Sequence, residues 1–151
     1  MRLRIYTDDD PVLRGPSAPV KQVTDEIKLL AFEMLKTMAH SNGMGLAAPQ
    51  IGVKLQIIVF DTTFDADSGL LRMMINPRVV SSSEACNTTL EGCLSFPGRQ
   101  IKVKRPNKAR IEYLNIRGQK VVEDFEGLNA RVALHEIDHL SGILLIDNEK
   151  Q

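Results

Sequence analysis

The five residues from His135 to His139 read His-Glu-Ile-Asp-His, and this spacing constrains the fold more than any other feature of the sequence. Residues four positions apart lie on one face of an α-helix, so both imidazoles can reach a single metal ion if this segment is helical. Glu136 then lies beside the first imidazole, where its carboxylate can hold a water molecule at the ion. The chain has only three histidines, and a chance match in a chain of this length has odds on the order of one in a few hundred. A metal-binding helix is therefore favoured over a surface helix whose histidines and glutamate are merely solvated.

Two imidazoles leave a metal site incomplete, and the third ligand is expected upstream because only twelve residues follow His139. Three side chains remain as candidates: His40, Cys86 and Cys93. Cys93 is favoured, because the neighbouring glycine and the nearby proline predict a tight, extended turn, and a thiolate is a strong ligand for Zn(II), Fe(II), Co(II) or Ni(II). Cys86 falls in a polar stretch that predicts an exposed loop.

The length and composition indicate one globular domain. The chain has 151 residues, of which 43% are hydrophobic, and its 19 basic residues balance 19 acidic residues. This balance argues against a protein held to nucleic acid mainly by charge, since such proteins are usually strongly basic. No apolar run approaches the roughly 18 residues of a membrane span, and the first residues carry no secretory signal. We therefore expect a cytoplasmic protein, in which two cysteines do not predict a disulfide scaffold.

The order of the predicted elements is typical of an α+β fold. An amphipathic helix is predicted from about Thr24 to Ser41, and a second helix from about Gly127 to Leu140 carries the His-Glu-Ile-Asp-His segment. Between them lie five β-like runs: Leu55 to Asp61, Leu71 to Ile75, Ile101 to Lys104, Ala109 to Asn115 and Lys120 to Phe125. Strands enclosed between two helices, with a turn at Arg117-Gly118, predict a largely antiparallel sheet.

Three further segments carry predictions of their own. The run from Arg99 to Arg110 contains six basic residues and no acidic one. A strand with Lys and Arg on its solvent face is favoured there over a contact with RNA or a nascent chain. The first twenty residues, rich in Pro and Asp, are expected to form an extended N-terminal arm over the body of the protein. Ile143 to Ile146 are consecutive apolar residues, expected to bury as a short strand against the sheet or this arm, whereas the polar residues 147–151 are expected in solvent.

Three segments occur in an order that resembles one known family. They are Gly43 to Gln50 (GMGLAAPQ), Glu91 to Ser95 (EGCLS) and His135 to His139 (HEIDH). Together they resemble the signature segments of the peptide deformylases, and the flanking DPVLR, MINP and HLSGILLID pieces extend the resemblance over nearly the whole chain. The resemblance implies an α+β fold with mainly antiparallel sheets packed around a central metal-binding HExxH helix, with an N-terminal helix. It also implies a single catalytic domain over residues 1–151, lacking the C-terminal helix of longer members.

The resemblance assigns the metal ligands. Cys93, His135 and His139 would hold one divalent ion, with water in the fourth position, which is the open geometry of a catalytic site. Fe(II) is the ion expected by resemblance, and Zn(II), Ni(II) and Co(II) are the alternatives. A structural zinc site that adds Cys86 is the rival interpretation, although its Cys-x6-Cys spacing is atypical of zinc knuckles.

The resemblance also assigns a reaction, the removal of the formyl group from N-terminal formyl-methionine with release of formate. Glu136 would act as general base and then general acid. The side-chain amide of Gln50 and the backbone N–H of Leu94 would stabilise the oxyanion of the tetrahedral intermediate. A general HExxH metallopeptidase is the rival enzyme, but no third ligand follows the helix as many of those enzymes require.

A small apolar set is expected to bind the substrate. Gly43 and Gly45 let the backbone approach an extended peptide closely. Met44 and Val132 suit a pocket for the methionine side chain, with plain core packing as the equal alternative. The expected partner is a formyl-methionyl peptide or nascent chain, and the protein is expected to act as a monomer. The ribosome is a candidate transient partner. Neither a membrane nor a specific nucleic acid is expected to take part.

Charged residues around the metal helix carry three smaller predictions. Glu91 is expected to brace the Cys93 turn without binding the ion. Asp138 is expected to pair with Arg105 and so orient the helix. Two residues depart from the family pattern: Leu134, where Gln is usual, and Lys104, where Pro is common.

Overall fold

The computed structural model describes residues 3–150. Two α-helices and seven strands make up the fold: α1 (Asp25–His40), α2 (Gly127–Leu140), β1 (Gly45–Ala47), β2 (Ile57–Asp61), β3 (Leu71–Ser82), β4 (Cys86–Cys93), β5 (Phe96–Pro106), β6 (Lys108–Leu114) and β7 (Lys120–Glu126). Short 3₁₀ helices occur at Pro11–Leu13, Ala48–Ile51 and Leu145–Lys150. All named strand pairs are antiparallel, which confirms the predicted α+β class with antiparallel sheets.

Both helices lie where their sequence patterns predict them. The Thr24 hydroxyl accepts a hydrogen bond from the Ile27 N–H at 3.3 Å and so caps α1. One face of α1 is buried, through Ala31, Met34 and Met38. Helix α2 begins after Glu126, as predicted, and most of its residues are buried. No helix within residues 3–150 is long and apolar enough to cross a membrane.

The main sheet lies between the two helices. Its strand order is β1-β2-β3-β6-β7. Successive side chains of a strand point to opposite faces, so Ile58 and Phe60 pack with α2 while Ile57 and Val59 pack with α1. All four are fully buried. A strand covered on both faces explains why this run is apolar without alternation.

Strands β4 and β5 form a separate hairpin beside α2. The sequence does not predict β4, because its first five residues are all exposed and show no apolar alternation. Cys86 is exposed as expected, but it belongs to this strand rather than to a loop. Strand β5 is longer than predicted and alternates, with Lys102 and Lys104 in solvent and Ile101 and Val103 buried. The predicted solvent-facing strand is therefore confirmed, except that Arg105 points inward.

The segment after α2 differs from the prediction. Ile143 to Ile146 do not form a strand, since a 3₁₀ helix starts at Leu145. The Leu144 N–H donates to the Asp147 carboxylate at 2.9 Å and the Asp147 N–H donates back to the Leu144 carbonyl at 3.0 Å, so local bonds replace a ladder. Leu144 and Leu145 are buried against the hairpin, while Ile143 is exposed.

Candidate active site

Helix α2 and the end of β4 bring three metal-binding side chains to one point. His135 and His139 lie one turn apart on the same face of α2, with ring centroids 5.3 Å apart. The Cys93 thiol lies 3.4 Å from Nε2 of His139. One ligand atom from each of the three residues falls within 4.8 Å of the others. The spacing of the helix and the turn of the hairpin therefore assemble the predicted ligand set.

These residues fit a metal ion. Each offers a lone pair to the same small volume, and such an approach of donors is favourable when a cation lies between them. Burial lowers the pKa of His139 well below its usual value. A neutral imidazole is the form that binds metals.

Cys86 and His40 do not join this cluster. Both are exposed, and Cys86 pairs with Pro106 at the far end of the β4–β5 hairpin from Cys93. Within the described residues, the set of convergent metal-binding side chains contains one cysteine and two histidines. The rival prediction of a structural zinc site with both cysteines is therefore wrong.

A buried carboxylate, Glu91, connects the hairpin to the metal helix. Its Oε1 lies 2.8 Å from Nδ1 of His135, and its two oxygens accept hydrogen bonds from Arg105 at 2.6 and 2.9 Å. Burial raises the pKa of Glu91, but the hydrogen bonds of His135 and Arg105 outweigh it and bring the pKa to about 2. Arg105 also donates to Asp138 at 3.0 Å, as predicted. Arg131 donates to the same carboxylate, a contact that sequence reasoning missed although Arg131 lies one helical turn before His135.

Glu136 lies beside the cluster without a strong partner. The side chain is 4% exposed, and its Oε1 has no hydrogen-bond partner among residues 3–150. Its Oε2 lies 4.0 Å from Nε2 of His135. Burial raises the pKa of Glu136 to about 7, although the charge of His135 lowers it. The backbone of Gly45 presses against this carboxylate, and a Cβ there would overlap it.

The Gln50 side chain lies beside Cys93. The residue is buried in the 3₁₀ helix Ala48–Ile51. Its Oε1 accepts the Ala47 N–H at 2.9 Å, and its Nε2 donates to the Ser95 hydroxyl at 3.0 Å and lies 3.6 Å from the Cys93 sulfur. Leu94 follows Cys93 directly in the hairpin turn. Gln50 and Leu94 therefore both adjoin Cys93.

A cavity of about 690 Å³ opens onto His135 and Glu136. All of the residues expected to bind substrate line it, together with Leu94: Gly43, Met44, Gly45 and Val132. Met44 is 42% exposed, so plain core packing does not account for it. Val132 is buried and serves both the core and the cavity wall. A Cβ at Gly43 would meet the Leu94 side chain at 2.6 Å, so a larger residue there would require the Leu94 side chain to shift.

The two departures from the family pattern leave this site intact. Leu134 is half-buried and packs against the core between α2 and the sheet. Lys104 is exposed on β5 and pairs in register with Thr88.

Comparison with known proteins agrees with this geometry. A family model described as polypeptide deformylase matches residues 2–151. A peptide deformylase of Natranaerobius thermophilus is 42% identical over 148 residues, covering 98% of this chain and 92% of that protein. The crystal structure of peptide deformylase from Thermotoga maritima superposes with a TM-score of 0.90 at 37% identity, covering 98% of this chain and 97% of that one. A Met-Ala-Ser-bound peptide deformylase from Acinetobacter baumannii gives a TM-score of 0.92 at 29% identity, covering 98% of each chain. Because the match runs through the chain and the three signature segments meet at one buried site, this protein belongs to the peptide deformylase family.

Proposed function

We propose that the deformylase reaction of this chain, which removes the formyl group from N-terminal formyl-methionine and releases formate, is carried out by Glu136 with Gln50 and Leu94. The observation that carries the proposal is the Glu136 carboxylate. It is buried and its Oε1 is unpartnered within the described chain, and it lines a cavity together with Cys93 and His135, two of the three metal-binding residues. Burying a carboxylate without a partner costs free energy, so a catalytic task explains the residue better than a structural one.

Members of this family are metalloenzymes, and Cys93, His135 and His139 are the residues that would hold the ion. A thiolate with two imidazoles suits Fe(II), which we propose as the native ion, and it also suits Zn(II), Ni(II) and Co(II). The chemistry supplied by a divalent ion here is polarisation of the formyl carbonyl and easier deprotonation of water.

Glu136 is proposed to move the proton. Its carboxylate takes a proton from the attacking water and later delivers it to the leaving nitrogen of the peptide. Burial raises the pKa of Glu136 toward the working pH, and a group shifted in that direction can both accept and release a proton. Gly45 closes the space against the carboxylate and so limits its rotation.

Gln50 and Leu94 are proposed to stabilise the oxyanion. The Gln50 amide donates on the side that faces Cys93, and it carries no charge that would compete for the metal ion. The backbone N–H of Leu94 would supply a second donor from the adjoining turn. Donors fixed in place before the reaction stabilise developing charge without the cost of reorganisation.

The substrate is proposed to lie in the 690 Å³ cavity. Met44 and Val132 supply apolar walls for the methionine side chain, and Gly43 and Gly45 leave the backbone of the loop close to the peptide.

All of these residues are proposed to belong to a single domain that spans residues 1–151. The protein is proposed to act as a monomer, because one chain supplies every residue of the site. We propose that the protein meets its substrate at the ribosome, because the ribosome is the source of formylated chains.

Formate release from a formyl-methionyl peptide by freshly purified protein, with the metal content measured alongside, tests this function. The matched substrate is the same peptide carrying an N-terminal acetyl group. We expect formate to be released in proportion to bound metal and the acetylated peptide to stay intact. Cleavage of internal peptide bonds without formate release would instead support the metallopeptidase interpretation.

Cys93→Ser is expected to weaken metal retention and activity, whereas Cys86→Ser leaves both nearly unchanged. Only Cys93 lies within ligand distance of the two imidazoles, and a hydroxyl is a poorer ligand than a thiolate. Metal analysis after dialysis, together with formate release, measures both effects. Equal losses in the two variants would contradict the proposed ligand set.

Glu91→Gln is expected to lower metal affinity by about 10–100-fold, the usual loss when a residue that orients a metal-binding histidine is changed. The glutamine has one oxygen and one NH₂ group, so it cannot accept both hydrogen bonds of Arg105 and also hold Nδ1 of His135 as the carboxylate does. Glu112→Gln is the matched control, because Glu112 pairs with Arg78 and Lys120 away from the metal cluster. Competition with a chelator measures the affinity. Equal affinities for the two variants would show that Glu91 does not orient the ligand.

A further inference from the structure

Gln50 is connected to the N-terminal arm through one buried hydroxyl. Ser95 is fully buried, and its Oγ donates to the Tyr6 carbonyl at 2.8 Å and accepts from Nε2 of Gln50 at 3.0 Å. The arm itself is held at two points. The Tyr6 N–H donates to the Gln50 carbonyl at 2.7 Å, and the Asp8 N–H donates to the Ser95 carbonyl at 2.8 Å.

Three hydrogen bonds connect Tyr6, Ser95, Gln50 and Ala47. Which group donates in each bond is fixed by the two backbone groups at the ends, the Tyr6 carbonyl and the Ala47 N–H. A carbonyl oxygen only accepts, so the single proton of the Ser95 hydroxyl is committed to Tyr6. The hydroxyl then has only lone pairs to offer Gln50, which must present its NH₂ group. At the other end of the amide, the Ala47 N–H only donates, so it requires the Gln50 oxygen. A rotated amide would set acceptor against acceptor at Ser95 and donor against donor at Ala47.

This orientation leaves one N–H of Gln50 for chemistry. The first N–H donates to Ser95, and the second points to the Cys93 side, where Nε2 donates to the sulfur at 3.6 Å. We propose that Ser95 is a positioning residue for the reaction. Its hydroxyl proton is held by the Tyr6 carbonyl, so its oxygen accepts from the Gln50 amide and keeps the second N–H of that amide on the Cys93 side, where the oxyanion develops. This inference rests on the proposed oxyanion role of Gln50.

The matched control for removing this hydroxyl is another buried serine. Ser17 is 5% exposed, and its hydroxyl has no hydrogen-bond partner in the described part of the chain. Ser17→Ala therefore removes a buried hydroxyl without breaking a hydrogen bond of that hydroxyl in the described structure. Ser95→Thr keeps the hydroxyl and serves as the rescue variant, and Ser95→Cys, with a weak donor of similar size, serves if Ser95→Ala does not fold.

The first measurement is the side-chain amide of Gln50 in ¹⁵N NMR spectra of the Zn(II)-loaded protein, which is diamagnetic. The resonance pair is identified by its loss in Gln50→Glu. In the wild type, Ser17→Ala and Ser95→Thr, we expect two distinct proton resonances that exchange slowly with water. In Ser95→Ala, we expect the pair to shift and to exchange at least about tenfold faster, because a bonded N–H is released. An unchanged pair in Ser95→Ala would overturn the proposal.

The second measurement is steady-state deformylation of a formyl-methionyl peptide. For Ser95→Ala we expect kcat to fall about tenfold with KM within about twofold, less than the loss on removing an oxyanion donor outright. Ser17→Ala and Ser95→Thr should keep kcat within about threefold of wild type. A Ser95→Ala protein that keeps its kcat while Gln50→Ala loses activity would overturn the positioning role of Ser95. A Gln50→Ala protein that keeps its kcat would instead contradict the oxyanion role of Gln50, and the NMR result would still decide whether Ser95 orients the amide.

Discussion

Glu136→Gln is expected to retain the metal ion and to lose at least about a hundredfold in turnover, the usual cost of removing a general acid–base. The amide matches the carboxylate in size, so it should fit against Gly45 without disturbing the helix. It cannot take a proton from water near neutral pH. Because Oε1 of Glu136 has no partner among residues 3–150, the substitution breaks no hydrogen bond of that atom in the described structure.

Formate release and metal content, measured on the same preparation, separate catalysis from ligand loss. Glu126→Gln is the matched control, because Glu126 precedes α2 and its side chain lies in solvent. We expect this control to have wild-type activity. A Glu136→Gln protein that turns over near the wild-type rate would rule out Glu136 as the proton carrier, and one that loses the metal ion would assign Glu136 to the ligand set instead.

Leu145→Asp is expected to unfold the protein. Leu145 is 3% exposed and packs in the cluster between the hairpin and the N-terminal arm, which includes Leu13, Phe96 and Leu144. Removing a buried leucine side chain costs about 2–5 kcal/mol, and a buried carboxylate adds the cost of an unpaired charge. The sum approaches the roughly 5–15 kcal/mol that typically separates a folded domain from its unfolded state.

Ile143→Asp is the matched control for this prediction. Ile143 lies two residues earlier in the same apolar run and is 46% exposed, so the same change should cost little there. Thermal unfolding followed by circular dichroism compares the two variants. Similar melting temperatures for both would show that the segment does not contribute to the core.

The chemistry carried by neighbouring residues was predictable from the sequence. The His-Glu-Ile-Asp-His spacing predicts the helix and the shared face of its two histidines, because contacts four residues apart depend only on helical geometry. The bounds of α1 follow from the Thr24 cap and the apolar periodicity in the same way. Cys93 was favoured as third ligand by local turn chemistry, and the structure brings it to the histidines.

Contacts between distant segments were decided by the tertiary structure. Strand β4 has an exposed, polar first half, so its pairing with β5 comes from the hairpin rather than from its own pattern. The tail after Gly142 is apolar like a strand, yet local bonds to Asp147 turn it into a 3₁₀ helix. In both segments the sequence pattern indicates which side chains are buried or exposed. It does not indicate which part of the chain they pair with or pack against.

The sequence by itself determined which side chains could bind a metal ion and move a proton, because those abilities belong to residue types at short spacings. The tertiary structure alone decided how they are held. Arg131 on α2, Arg105 on β5 and Glu91 on β4 meet only once the hairpin packs against the helix. Ser95 reaches Gln50 and Tyr6 across 45 and 89 residues of chain. Such contacts depend on the register and packing of whole elements, and no local pattern encodes them.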